Sequence, residues 1–169
     1  MMSVKFTVKM TEKYMYDFFL YNAYTSISGL LGPLLGVVAL MMAINSYMDA
    51  GFTAAMPGLL VAILFLVINP IQLKSRAKMQ VQQSEMFKKP LEYEFNETGV
   101  VVRQDELEAV NEWGDFAKAV STQKCVILYL NRVRALIFPK ECMGEQYEEV
   151  LKMIHTHMQP SKVKIRHIH

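Results

Sequence analysis

The chain has 169 residues, 52% of them hydrophobic and only 20% charged, with a net charge of +2. Disorder needs low hydrophobicity and high net charge, so it is excluded. The small net charge gives no electrostatic footprint for nucleic acid, and two Cys are too few for a disulfide framework or a four-Cys metal site.

Val4, Phe6, Val8 and Met10 alternate with Lys5, Thr7 and Lys9. A period of two predicts a strand with one buried face. Thr11 fits as an N-cap for a helix from about Glu12 to Tyr24. That helix carries Tyr14, Tyr16, Phe18, Phe19, Tyr21 and Tyr24, an aromatic density suited to the headgroup layer of a membrane. Residues 1–25 are read as this strand and interfacial helix.

Between Asp17 and Lys74 the one charged residue is Asp49. It divides two apolar segments, about 27–48 and 52–73. Roughly 20 helical residues cross a hydrocarbon core about 30 Å thick. Residues 26–73 therefore read as a transmembrane hairpin, retained rather than cleaved as a signal. The link Asn45-Ser-Tyr-Met-Asp-Ala-Gly51 holds three turn formers. Lys5, Lys9 and Lys13 precede the hairpin, and Lys74, Arg76, Lys78, Lys88 and Lys89 follow it. The link has no Lys or Arg, so the expected orientation puts both termini in the cytoplasm of a multi-pass cell-membrane protein.

Small residues suggest how the helices pack. Gly32 and Gly36 are four apart, as are Ala39 and Ala43, and Ala54, Gly58 and Ala62. Such faces let backbones approach closely in lipid. Pairing within the chain is expected; a homo-oligomer through one face is the alternative. Pro70 after Asn69 is expected to kink the second helix. Neither span holds an Asp, Glu, Lys, Arg or His, which counts against an ion-coupled transporter.

Residues 74–89 are basic and polar and read as a helical continuation ending at Lys89-Pro90. They suit anionic lipid, at about 1 kcal/mol per basic residue, although setting topology alone explains them. From Leu91 the pattern turns to strands near 91–96, 99–104, 107–112, 116–122, 125–131 and 134–138. Asn96-Glu-Thr-Gly99 and Asn131-Arg-Val-Arg134 are turns, with positive φ expected at Gly99. Glu141 to His157 reads as one amphipathic helix with Cys142, Tyr147, Val150, Leu151 and Ile154 on its apolar face. Residues 90–157 thus form an α+β module, an antiparallel sheet capped by a C-terminal helix. Its core is marginal by itself, and the N-terminal strand is a candidate to join it. Residues 158–169 form a basic tail with Lys162, Lys164 and Arg166.

Chemistry-bearing patterns are sparse. No Gly-rich phosphate loop, His-Glu-x-x-His or Cys-x-x-Cys occurs. His155 and His157 point apart on a helix, and His167 and His169 supply only two ligands, short of a zinc site. No metal or cofactor is expected. Cys125 and Cys142 read as small core residues. Trp113 suits either a core anchor or a binding hot spot. Residues 90–157 hold 7 Lys or Arg against 12 Asp or Glu, a net −5. Asp105, Glu106, Glu108, Glu112 and Asp115 concentrate that charge. This disfavours a lipid-headgroup pocket and marks, with Trp113, a candidate surface for a protein partner; a merely solvated face is the alternative.

Phe95-Asn-Glu-Thr-Gly-Val-Val-Val102, Glu112-Trp-Gly-Asp-Phe116, Val126-Ile-Leu-Tyr-Leu130 and Ala135-Leu-Ile-Phe-Pro-Lys140 together resemble the YcxB-like membrane proteins of bacteria. The resemblance implies two spans and a cytoplasmic module of pleckstrin-homology-like fold. It implies no activity. The function expected is a non-enzymatic membrane protein that presents this module to a cytoplasmic or membrane partner. Two alternatives stand beside it. One is self-protection against a membrane-active peptide. The other is a lipid-modifying enzyme using His155 with Glu148 or Glu149.

Overall fold

The structure is a computed structural model and describes residues 3–132 and 134–165. Arg166, His167 and His169 of the tail, and Val133 of the second turn, lie outside the described residues. Two compact units form. One joins the residues up to Phe18 with those from Gln80 onward; the other is Phe19–Met79.

The first unit is built on β1 (Val4–Val8), β2 (Leu91–Phe95), β3 (Gly99–Gln104) and β4 (Leu107–Glu112), an antiparallel meander in that order. The N-terminal strand joins it, with Val4 opposite Phe95 and Val8 opposite Leu91. A second sheet runs β7 (Ala135–Pro139), β6 (Cys125–Tyr129), β5 (Lys118–Ser121), β8 (Val163–Lys164). One antiparallel sheet was expected; there are two, and β8 runs parallel to β5. The break comes at Trp113–Asp115, a single 3₁₀ turn closed by a capping box between Glu112 and Asp115. That turn ends the first meander and starts the second.

Period-two patterning does what it predicts in β1 and β2, where Val4, Phe6, Val8, Leu91, Tyr93 and Phe95 are buried. The two sheets meet through rings. Phe138 of β7 stands edge-on to Phe6, Tyr93 and Phe95, with centroids 6.0, 4.8 and 5.1 Å away. In β6, Cys125, Val126, Ile127 and Leu128 are all buried, as in a strand covered on both faces.

Two local expectations change. Gly99 does not need a positive φ, which among the described glycines occurs at Gly51 and Gly144. It is glycine because a Cβ there would lie 2.0 Å from the Asn111 carbonyl oxygen. The single helix expected from Glu141 is broken at Gly144, at φ 53. A short α6 (Lys140–Met143) precedes it, and α7 (Tyr147–His157) follows, burying Val150, Leu151, Met153 and Ile154. Cys142 is therefore not on the face of α7.

In chain order, α1 (Glu12–Thr25) is followed by α2 (Ile27–Ala50). Ser26 caps α2 through its hydroxyl, which accepts from the Gly29 N–H at 3.1 Å. The expected seven-residue link is mostly helix. Only Gly51, at φ 79, separates α2 from α3 (Phe52–Ile63). The helix then continues through a π-helical stretch, Leu64–Ile68, into α4 (Asn69–Gln83). Pro70 removes one N–H and crowds the preceding turn; the π-helical stretch lies just before it. The helix stops at Ser84, which is extended, and a four-residue α5 (Glu85–Lys88) precedes Pro90.

Two helical stretches, Gly29–Ala50 and Phe52–Gln83, are long and apolar enough to cross a membrane. Their apolar side chains face outward. Leu34, Met41 and Leu60 are 60%, 63% and 61% exposed. At 1.5 Å per residue, the 32 residues of the second stretch extend about 48 Å, longer than a hydrocarbon core.

Candidate functional site

The hairpin contact is built from small residues. A Cβ on Gly58 would lie 2.9 Å from both the Ala39 carbonyl oxygen and the Ala43 Cβ. On Gly36 it would lie 2.8 Å from Leu66 Cγ, and on Gly32, 3.3 Å from the Phe65 ring. Ala43, Ala55 and Ala62 are buried, whereas Ala54 is exposed. The packed stripe is therefore Ala55, Gly58, Ala62 rather than Ala54, Gly58, Ala62. A helix of 3.6 residues per turn satisfies a three-then-four spacing as well as four-and-four.

The acidic cluster has internal roles. Asp105 sits in the β3–β4 turn at φ 52 and pairs with Lys89. Glu108 accepts from Arg103 Nε at 2.7 Å, and Arg103 also reaches Glu94 at 2.5 Å. That bond, with Lys5 at 3.4 Å, holds the Glu94 carboxyl below its ordinary range. Asp115 accepts from the Glu112 N–H at 3.0 Å. Glu106 has no ion pair among the described residues. Trp113 does not belong to an exposed surface. It is buried, its Nε1 donates to the Asn96 carbonyl at 2.9 Å, and its ring stacks on His157 at 5.0 Å. An indole with its N–H satisfied inside the fold is a core anchor.

Cys125 is fully buried, and burial, then the neighbouring Asp17, push its thiol far above the ordinary value. The Thr122 hydroxyl bonds Asp17. Lys140 donates to the Thr122 carbonyl at 2.6 Å, and burial lowers its pKa. Nearby, the Tyr14 hydroxyl donates to Glu141 at 2.7 Å, and Lys13 holds the same carboxylate at 2.6 Å. These contacts fasten the start of α1 to β5, β6 and α6. His155 is exposed on α7. Among the described residues no cluster of His, Cys, Asp or Glu has the makings of a metal site.

A cavity of about 270 Å³ opens between the ends of the two sheets. Leu91, Tyr93 and Val102 line it from the first sheet, and Leu136 and Ile137 from the second. Met86 and Phe87 of α5 form another wall. The Gln104 amide donates to the carbonyls of Met86 and Lys89, at 2.7 and 3.2 Å, and so ties α5 to the sheet. The polar side chains on the lining are Tyr93, Asn111 and Arg134. Which sheet ends would face each other is not encoded in any local pattern.

The architecture defines an α+β protein with a pair of helices of membrane-spanning length. Residues 95–154 match the family model described as YcxB-like protein, so the resemblance holds over that stretch. No curated protein and no solved structure matches the chain.

Proposed function

We propose that this is a multi-pass membrane protein whose hairpin anchors a pleckstrin-homology-like module at the cytoplasmic face, where the module binds a protein partner rather than catalysing a reaction. The observation that carries the reading is the insertion of the whole apolar hairpin between β1 and β2, neighbours in one sheet. Strands on either side of an even number of spans must lie on the same side of a bilayer. The basic residues on both flanks and the uncharged tip, apart from Asp49, support the cytoplasm as that side. A meander of four strands, a second of three, and a closing helix is the layout read here as pleckstrin-homology-like. The exposed Glu106 and the net negative module favour a partner with a basic surface.

Cysteine accessibility tests the orientation. In a Cys142→Ser background, Asp49→Cys should react with a membrane-impermeant maleimide on intact cells, and Glu106→Cys only after lysis. Both reacting from one side would sink the anchor. Purification from native membranes tests the module: a stoichiometric protein partner is expected, and its retention by Glu106→Lys would exclude this surface.

A further inference from the structure

We propose that the cavity between the two sheet ends binds a single-chain amphiphile with an anionic head, its chain among Leu91, Val102, Leu136 and Ile137 and its head at Arg134. Four observations meet there. The volume, about 270 Å³, is at the lower edge of the roughly 300–1,000 Å³ typical of ligand sites, which suits one narrow chain. The side walls are apolar, and the one charged side chain on the lining is a cation. Arg134 is exposed, and the backbone on either side of it is fixed: its N–H donates to Asn131 Oδ1 at 2.8 Å, and its carbonyl accepts from Leu130 at 3.0 Å.

The fourth observation is Tyr93. It is 4% exposed, packs its ring on Phe6 and Phe138, and lines the cavity. Its hydroxyl makes no hydrogen bond among the described residues, yet it is not sealed from solvent-sized space. Phe would fill the same core position, so the hydroxyl is a polar group on the lining that packing alone does not need. An acceptor on a bound ligand would satisfy it, and Asn111 offers a second polar group on the same lining. The inference concerns the unit that holds the two sheets and α5, and does not depend on the orientation or the protein partner proposed above.

The test uses the full chain in phosphatidylcholine nanodiscs, so that no detergent competes. The probe is dodecanoic acid with a photoreactive diazirine at the chain end, and labelled residues are mapped by mass spectrometry. Saturable labelling of cavity residues is expected, displaced by unlabelled dodecanoate or dodecyl phosphate but weakly by dodecanol. Ala109→Phe, which narrows the mouth, should cut labelling about tenfold. Arg134→Gln should remove the preference for charged competitors, about tenfold for a charge-assisted hydrogen bond. Tyr93→Phe should weaken binding several-fold while leaving thermal stability unchanged or raised; a purely structural tyrosine would do neither. If Ala109→Phe does not fold, Tyr93→Phe carries the test. Labelling confined to the hairpin, displacement by dodecanol equal to that by dodecanoate, or labelling unaltered by Tyr93→Phe would overturn the proposal. Stronger displacement by dodecanoate supports a fatty-acid ligand, and by dodecyl phosphate a phosphate-headed lipid.

Discussion

Val8 and Leu91 face each other in an antiparallel pair although the entire helical hairpin lies between them in the chain. The module is thus closed by a strand that is translated before the hairpin and buried only after it. Val8 and Phe95 at the two ends of this pairing are 0% exposed.

Removing the β1 contribution should destabilise the module even though none of its residues falls within 95–154. Phe6 is buried against Phe95 and Phe138, with the Phe95 ring 5.7 Å away. Phe6→Ala should cost about 3 kcal/mol, the lower end for a buried aromatic. Protease resistance and the melting temperature of the module report it; equal values for the variant would mean the strand is dispensable.

The hairpin makes a prediction that separates two neighbouring alanines. Gly58→Val should disturb the helix contact by about 1–3 kcal/mol, because its side chain has no room beside the Ala39 carbonyl. Ala54→Val should be nearly silent, since Ala54 is exposed, whereas Ala55→Val, at a position 2% exposed, should resemble Gly58→Val. Loss of helicity on titration with a denaturing detergent ranks the three.

These contrasts show what was legible in the chain. The period-two run at Val4–Val8 predicted β1, which joined the sheet as foreseen, because alternation reports burial directly; the other strands of that sheet were read from short runs between turns. The hairpin was visible in its missing charges. What escaped depended on distant partners. The i, i+4 spacing of Ala54, Gly58 and Ala62 does not say which flank of the stripe is covered; in the structure Ala55 is buried and Ala54 is exposed. The division into two sheets turned on a three-residue 3₁₀ turn at Trp113, which carries no strong local signal. The acidic cluster looked like one surface, but Asp105, Glu108 and Asp115 each serve a separate bond. The cavity was not legible at all, because its walls come from two sheets and α5, segments distant in the chain.

The two thiols should differ in reactivity. Cys125 is 0% exposed and its thiol is pushed far up by burial and Asp17. Cys142 is part-exposed, with a thiol raised by burial. The thiolate is the nucleophile, so near pH 8 a maleimide should modify Cys142 slowly and Cys125 only on unfolding. Mass spectrometry after timed exposure distinguishes them; prompt modification of Cys125 in the folded chain would contradict its burial.

The Glu141 carboxylate accepts from Lys13 and from the Tyr14 hydroxyl, and these bonds, Lys13 first, hold its pKa below the ordinary value. A folded-state pKa below the unfolded one contributes stability above the unfolded value, near 4.3 for Glu. That contribution is lost as pH falls through the folded value. At neutral pH, Glu141→Gln should therefore melt below the parent chain, by a small margin because the carboxylate is exposed. The gap should narrow on acidification and close once the parent carboxylate is protonated. Melting curves of both chains from neutral pH to about pH 3 read this directly. A gap that stays constant over that range would assign the effect to packing around Tyr14 rather than to charge.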